Sequence, residues 1–337
     1  MMITDLDAKE PRPEILVEII HAQTEIAKLG LDLGAVMNLV AERVQKLTGA
    51  TAAVVELAEG DDMVYRAVSG LAQSQLGLRL KRAGSLSGLC VESGQILQCD
   101  DSEVDPRVDL DACRRVGVRS MMVAPLSHQG IVVGVLKIAS ADVAAFGGGH
   151  RRVLELMSGL IAASMYHAAR HDPDDLYHRA THDPLTGLAN RALFYDRLRQ
   201  CVSLAMRRGK PVGVVSIDMN HLKAINDRHG HRAGDAALCE IAARIARISR
   251  RSDTAARLGG DEFGVVLAEV ESRQDVAHLS DRLEHEIRLP FTFEDLVMPL
   301  SASVGIALYP EDGTEIEALI DRADQAMYQA KRARQAP

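Results

Sequence analysis

Asp261 and Glu262 follow two adjacent glycines in the stretch Arg257-Leu258-Gly259-Gly260-Asp261-Glu262-Phe263-Gly264, and the apolar run Val265-Val266-Leu267 comes next. Adjacent glycines allow a tight turn and let a ligand approach the backbone. With apolar residues on both sides, the stretch reads as a strand-turn-strand unit that presents carboxylates near its tip. A third carboxylate, Asp218, ends another apolar run, Val212-Gly213-Val214-Val215-Ser216-Ile217. Two carboxylates brought to about 4 Å repel by roughly 4 kcal/mol at an effective dielectric near 20, which calls for a cation between them or a shared proton. Hard oxygen ligands suit magnesium, which completes its shell with water and substrate phosphates, so glycines beside acids point to a nucleoside triphosphate. An ordinary hairpin with solvated acids has the same local composition.

Holding these groups together requires strands that end side by side and a core that fixes them. The chain has 337 residues, 47% hydrophobic and 26% charged, which predicts a globular protein of about two domains. A formal net charge of -8 argues against broad nucleic-acid binding while leaving room for one nucleotide pocket. No apolar run reaches the roughly 18 residues a bilayer span needs, and the acidic start is unlike a signal peptide. The expectation is a cytoplasmic protein without membrane insertion. Cys90, Cys99, Cys113, Cys201 and Cys239 are odd in number and lack a paired metal spacing, so most read as reduced core residues, with a redox or cofactor-holding role for Cys90, Cys99 or Cys113 as the alternative.

In chain order, residues 1–14 are expected to form a disordered tail carrying Pro11 and Pro13. Ile15, Ile19, Ala22, Ile26 and Leu29 recur at helical spacing, as do Val36, Leu39, Val40, Val44 and Leu47. Strand-like runs follow at 52–57, 64–68, 120–126 and 131–138, the last two joined by the hairpin candidate Ser127-His128-Gln129-Gly130. This order predicts an α+β domain. Residues 150–170 predict a long helix with one apolar stripe at Val153, Leu156, Leu160 and Ala163 and a second at Leu154, Met157, Ile161 and Ala168. A face that wide suggests contacts on two sides, one with a partner helix in a parallel dimer. Pro173 disfavours helical continuation from Asp172 and places a hinge in residues 171–178. The helix at 235–249 carries Leu238, Ile241, Ile245 and Ile248 on its apolar face, with Arg244, Arg247, Arg250 and Arg251 expected largely elsewhere.

The stretch from Arg257 to Phe263 resembles the signature of GGDEF domains, the diguanylate cyclases. Three further blocks agree in order: Asp183-Pro184-Leu185-Thr186-Gly187-Leu188-Ala189-Asn190-Arg191; Asp218 through Asp227 with Gly230-His231 and Gly234-Asp235; and Ser303-Val304-Gly305-Ile306-Ala307 with Asp324 through Lys331. Upstream, Gly84 to Cys90, Arg119 to Leu126 and Gly134 to Lys137 resemble a GAF domain. The resemblances imply an α+β fold: a GAF sensor domain over 15–170 including its flanking helices, a linker at 171–178, and a GGDEF catalytic domain over 179–337 with a sheet similar to the polymerase palm and class III cyclases.

By match to the family motif, Asp218, the Met219 carbonyl, Asp261 and Glu262 are expected to hold two magnesium ions, or manganese, with Glu262 also a candidate for activating the ribose hydroxyl. Gly259 and Gly260 admit the phosphates, and Lys223, Lys331 and Arg334 neutralise them, Arg334 standing beside Gln335 where the family often has arginine. Asn226 and Asp235 are placed to read guanine, an amide offering donor and acceptor and a carboxylate accepting from N1-H and N2-H. Asp227 and His231 are expected to brace loops, and Asn220 stands where an acid is common. Arg250-Arg251-Ser252-Asp253 fits the Arg-x-x-Asp pattern of the family's product-inhibition site, with Arg250 on phosphate and Asp253 on the base.

The expected partners are therefore GTP as substrate, cyclic di-GMP as product and inhibitor, and a second copy of the chain in a homodimer, with the GAF domain gating the reaction. The GAF ligand is not readable, since neither a cyclic-nucleotide signature nor a bilin-attaching Cys-His pair is present. The alternative is a catalytically silent receptor for GTP or cyclic di-GMP.

Overall fold

The computed structural model describes residues 13–29, 32–128, 130–169, 173–294 and 296–335. Of the tail expected at 1–14, only Pro13 and Glu14 are described, and they open a helix; of the linker expected at 171–178, His171 and Asp172 lie outside the described residues while 173–178 are helical. The chain divides after Ala180 into two compact units.

In the first unit, helices α1 (Pro13–Leu29) and α2 (Leu33–Thr48) precede β1 (Ala52–Glu59) and β2 (Asp62–Gly70). Then come β3 (Arg79–Lys81), α3 (Leu86–Ser93), β4 (Leu97–Cys99), α4 (Leu110–Val116), β5 (Ser120–His128), β6 (Ile131–Ser140), α5 (Gly148–Ala169) and α6 (Pro173–Thr181). The strands form one antiparallel sheet in the order β3-β2-β1-β6-β5-β4. Helices α1, α2 and α5 cover one face, where Met37, Val40 and Val44 meet Val55, Met122, Leu136 and Met157. Helices α3 and α4 cover the other, where Leu86, Cys90 and Cys113 meet Met121, Val123 and Val135. Each such buried side chain contributes about 1.5–3 kcal/mol. In α5, Val153, Leu154, Met157 and Ile161 are all buried in this unit's own core, and Leu156 and Leu160 are half-buried against it. Residues of both stripes thus meet this core, with Leu156 and Leu160 left partly exposed.

The second unit contains α7 (Arg191–Arg208), β7 (Val212–Met219), α8 (Leu222–His229), α9 (His231–Ile248), β8 (Thr254–Gly259), β9 (Glu262–Leu267), α10 (Arg273–Ile287), β10 (Phe291–Phe293), β11 (Leu296–Met298), β12 (Ala302–Tyr309) and α11 (Ile316–Gln335). An antiparallel sheet runs β12-β7-β9-β8, and β10-β11 forms a separate ribbon. Every residue of the central strand β7 is buried. Because side chains alternate along a strand, Val215, Ile217 and Met219 pack with α9 and α10, while Val212 and Val214 pack with α7 and α11. Asn190 caps α7 by accepting from the Leu193 N–H, and Gly209 ends that helix in the left-handed conformation.

One basic residue departs from expectation. Arg244 is not on a solvated face but buried, at 3% exposed. Its guanidinium donates to the carbonyls of Glu286, Ile287, Leu289 and Pro290 at 2.8–3.2 Å and to Glu240 Oε1 at 2.7 Å. Carbonyls left over at the end of α10 need donors, and the charge of Arg244 complements that helix C-terminus.

Candidate active site

The register of β7 against β9 sets Asp218 opposite Glu262, and β12 sets Ser303 on the other side of Asp218. The turn between β8 and β9 holds Gly259 at φ 146° and Gly260 at φ 54°, conformations that disfavour any side chain. Two contacts fix that turn. The Met219 N–H donates to the Asp261 carbonyl at 2.9 Å. Arg257 donates to the Gly260 carbonyl through Nε at 3.1 Å and Nη2 at 2.8 Å, while its Nη1 lies 3.2 Å from Asp183 Oδ1. Asp183 Oδ1 also accepts from the Thr186 N–H and hydroxyl, so the opening motif and the glycine turn share one hydrogen-bonded joint.

Asp218 is buried and accepts a 2.7 Å hydrogen bond from Lys331 Nζ on α11. Asp261 is half-buried and Glu262 exposed at the strand end. The Glu262 carboxyl titrates above its ordinary value, first through burial and then through the negative charges of Asp324, Asp218 and Asp261, with Arg191 opposing. Asp324 and Arg191 are therefore members of the acidic site that sequence reasoning left without a role. The signal was present, since both stand inside motifs that carry the family resemblance. They line a cleft with Tyr195, Ser216, Glu262 and Met327, and the Arg191 guanidinium lies 5.6 Å from the Tyr195 ring centroid.

The base-reading pair lies where α8 meets α9. Asn226 is half-buried near the end of α8, and Asp235 is exposed in the second turn of α9. Asn226 packs against Gly234 so closely that a Cβ there would fall 1.9 Å from its Oδ1. That Oδ1 is buried without a hydrogen-bond partner among the described residues. Lys223 is exposed on α8, as are Asp227 and His231 near the same junction. Asn220 braces the start of β12, accepting from Ser303 Oγ at 3.1 Å and donating to Ser301 Oγ at 3.4 Å. Arg334 and Gln335 belong to α11, but their side chains lie outside what the structure describes.

Arg250 and Asp253 close the turn between α9 and β8: the Arg250 N–H donates to Asp253 Oδ2 at 2.8 Å, and the Asp253 N–H to the Arg250 carbonyl at 2.9 Å. Burial raises the Asp253 carboxyl, opposed by the N–H groups of Arg250 and Ala268. The Arg250 side chain is exposed.

Among the described residues, no three His, Cys, Asp or Glu side chains gather closely enough to form a metal cluster by themselves. The donor chemistry nevertheless suits magnesium, which commonly takes one or two carboxylates and draws its other ligands from water and phosphate. The crowding of Glu262 by three other acids is the electrostatic condition a cation relieves. No helix among the described residues is long and apolar enough to cross a membrane.

An antiparallel sheet ending in converging acids beside a glycine turn, preceded by a separate α+β unit, defines a two-domain α+β protein with an acidic candidate site in its second unit. The family model for the diguanylate cyclase GGDEF domain matches residues 180–337, and that for the GAF domain matches residues 30–165. The chain is 32% identical over 235 residues to the diguanylate cyclase DgcP of Escherichia coli, covering 67% of this chain and 68% of that protein. It belongs to the family of GGDEF-domain diguanylate cyclases, with a GAF domain ahead of the GGDEF domain.

Similarity extends to two proteins of Pseudomonas aeruginosa. The diguanylate cyclase TpbB is 44% identical over 171 residues, or 50% of this chain and 37% of TpbB. The bifunctional diguanylate cyclase/cyclic di-GMP phosphodiesterase MucR is 41% identical over 178 residues, or 53% of this chain and 25% of MucR. The chain thus spans little more than a third of TpbB and a quarter of MucR. A solved GGDEF domain of TpbB is 44% identical, with a TM-score of 0.44, covering 46% of this chain and 90% of that one.

Proposed function

We propose that this protein condenses two GTP molecules into cyclic di-GMP, releasing two pyrophosphates. The observation that carries the reading is the register of β7 and β9, which brings Asp218 beside Glu262 at the mouth of the glycine turn. In each step a ribose 3'-hydroxyl of one GTP attacks the α-phosphorus of the other, the new P–O bond forms, the bond to pyrophosphate breaks, and the hydroxyl proton leaves to a base. Two such steps close the ring, so two GGDEF domains must face one another in a homodimer.

Asp218, the Met219 carbonyl, Asp261 and Glu262 would hold the divalent cations, magnesium or manganese. Bound there, the cations would lower the hydroxyl pKa and stabilise charge on the transferring phosphoryl group. Gly259 and Gly260 leave the backbone open to phosphate. Lys223 and Lys331 supply positive charge to the triphosphate, with Arg334 further along α11. Asn226 and Asp235 orient guanine through its donor edge. Glu262 is the candidate base for the 3'-hydroxyl.

The GAF domain is assigned the role of gate, and Arg250 with Asp253 that of a product-binding brake. Arginine would pair with a phosphate of cyclic di-GMP, and the Asp253 carboxylate would accept from guanine.

The test incubates purified protein with GTP and magnesium and resolves the nucleotides by chromatography and mass. Cyclic di-GMP with twice its amount of pyrophosphate is expected, and Asp261→Ala should abolish both while leaving the circular dichroism spectrum unchanged. A wild-type rate in that variant overturns the metal assignment. Unchanged product inhibition in Arg250→Ala overturns the brake. GTP binding without turnover, even after the GAF domain is replaced by a constitutive dimer, would favour the silent receptor.

A further inference from the structure

Backbone hydrogen bonds on both edges of β7 set the direction of the Met219 carbonyl. The Met219 N–H donates to the Asp261 carbonyl at 2.9 Å, and the next N–H along, that of Asn220, donates to the Ser301 carbonyl at 2.9 Å on the β12 side. A trans peptide unit is planar, and its C=O points opposite to its N–H. The bond from Asn220 toward β12 therefore turns the Met219 carbonyl the other way, toward β9 and the glycine turn.

The Asn220 side chain repeats this attachment. Its Oδ1 accepts from Ser303 Oγ at 3.1 Å and its Nδ2 donates to Ser301 Oγ at 3.4 Å, so one amide spans two residues that share a face of the strand. Ser303 is fully buried and stands opposite Asp218 in the register of β12 with β7. A buried hydroxyl needs a partner, and Asn220 supplies it. The chain then passes from β7 to α8 across Asn220 and His221 alone, with His221 in the left-handed conformation at φ 64° and ψ 18°, uncommon for a residue other than glycine. Backbone of that kind persists where its surroundings fix it, and the clamp to β12 fixes the residue just before it.

The residue type matters as well. An acid at this position would add a negative charge where Asp218, Asp261 and Asp324 already crowd Glu262. The amide is neutral and offers a donor and an acceptor together.

We infer that Asn220 is a positioning residue for the divalent cation: by clamping the loop to β12 it holds the Met219 carbonyl in the direction of Asp261 and Glu262. It acts through the Met219 peptide and not as a ligand. Partners of this outer kind typically govern metal affinity by about 10–100-fold. The inference rests on the metal assignment made for the proposed cyclase, and it gives a role to the one residue of that block where this chain departs from the common acid.

The test follows Mn2+ binding to the full-length protein by the paramagnetic resonance signal of the free ion. A GTP analogue with methylene in place of the α,β-bridging oxygen is present, so that no turnover occurs. The analogue chelates the ion equally in every sample, and differences between variants therefore report the protein. Asn220→Ala is expected to weaken Mn2+ binding about tenfold. Ser303→Ala, which removes one of the two side-chain bonds, should weaken it about fivefold, the worth of one hydrogen bond, and it carries the same reading should Asn220→Ala lower the melting temperature. Calorimetry of the analogue in the presence of chelator should give the wild-type affinity in both variants, because Asn226 and Asp235 are untouched.

Unchanged Mn2+ affinity in either variant overturns the inference. So does an equal loss of analogue affinity under chelator, which would mark a collapsed loop. If Asp261→Ala binds Mn2+ as tightly as the wild type, the metal assignment falls and the inference with it. Because binding is read without turnover, Mn2+ binding that responds as expected in a protein that forms no cyclic di-GMP refutes the cyclase reading alone.

Discussion

Lys331 on α11 donates a 2.7 Å hydrogen bond to Asp218 at the end of β7, across 113 residues of sequence. The lysine expected to meet the triphosphate is thus already tied to the buried carboxylate expected to meet the metal. A cationic group fixed beside the developing phosphoryl charge contributes through preorganisation. Lys331→Met is expected to lower the rate of cyclic di-GMP formation by roughly 10²–10³-fold, with the fold retained by circular dichroism.

Arg257 links the glycine turn to the opening motif through the Gly260 carbonyl and Asp183, and its side chain is 14% exposed. Arg257→Leu leaves the Asp183 carboxylate without its ion-pair partner in a half-buried site and frees the turn. Denaturant unfolding of the isolated GGDEF domain should report a loss of about 1–3 kcal/mol, below the range for fully buried pairs because water still reaches this one. Turnover should fall with it, and a variant of wild-type stability and rate would count against the joint.

Gly234→Ala tests the guanine-reading pair without touching either residue. The added Cβ would fall 1.9 Å from Asn226 Oδ1 and must push that side chain aside. The Michaelis constant for GTP is expected to rise about tenfold, as for one misplaced hydrogen-bonding group. The rate at saturation should change less. An unaltered constant would show that Asn226 is not needed where it stands.

The Cys90 and Cys99 thiols are buried and pushed up to about 12, in both cases chiefly by burial. On the order of one in 10⁴ of such thiols is ionised at pH 8, and the thiolate is the reactive form. Iodoacetamide on the native protein should therefore modify Cys201 and Cys239, which are half-buried, well before Cys90 or Cys99, as mapped by peptide mass. Fast modification of Cys90 would revive a redox role for it.

Much of this protein is local and so was readable from residue order alone. Periodic apolar positions place α1, α2 and α5, because a helix must bury one face whatever it packs on. Gly259 and Gly260 announce a turn that few other residues can adopt, and the motif from Asp218 to Asp235 names the candidate metal and base ligands. What tertiary structure decided is which charges are buried and against what. Arg244 looks like one of several surface arginines along α9 until α10 ends beside it with four carbonyls to satisfy. Asp324 looks like a solvated helix residue until α11 packs it near Glu262. Glu56 and Lys137 sit in strands that read as plain β-structure, and their pairing exists only because β6 lies beside β1. Helical and strand periodicity follow from the geometry of neighbouring residues, whereas the state of a charge depends on groups that only folding brings near it.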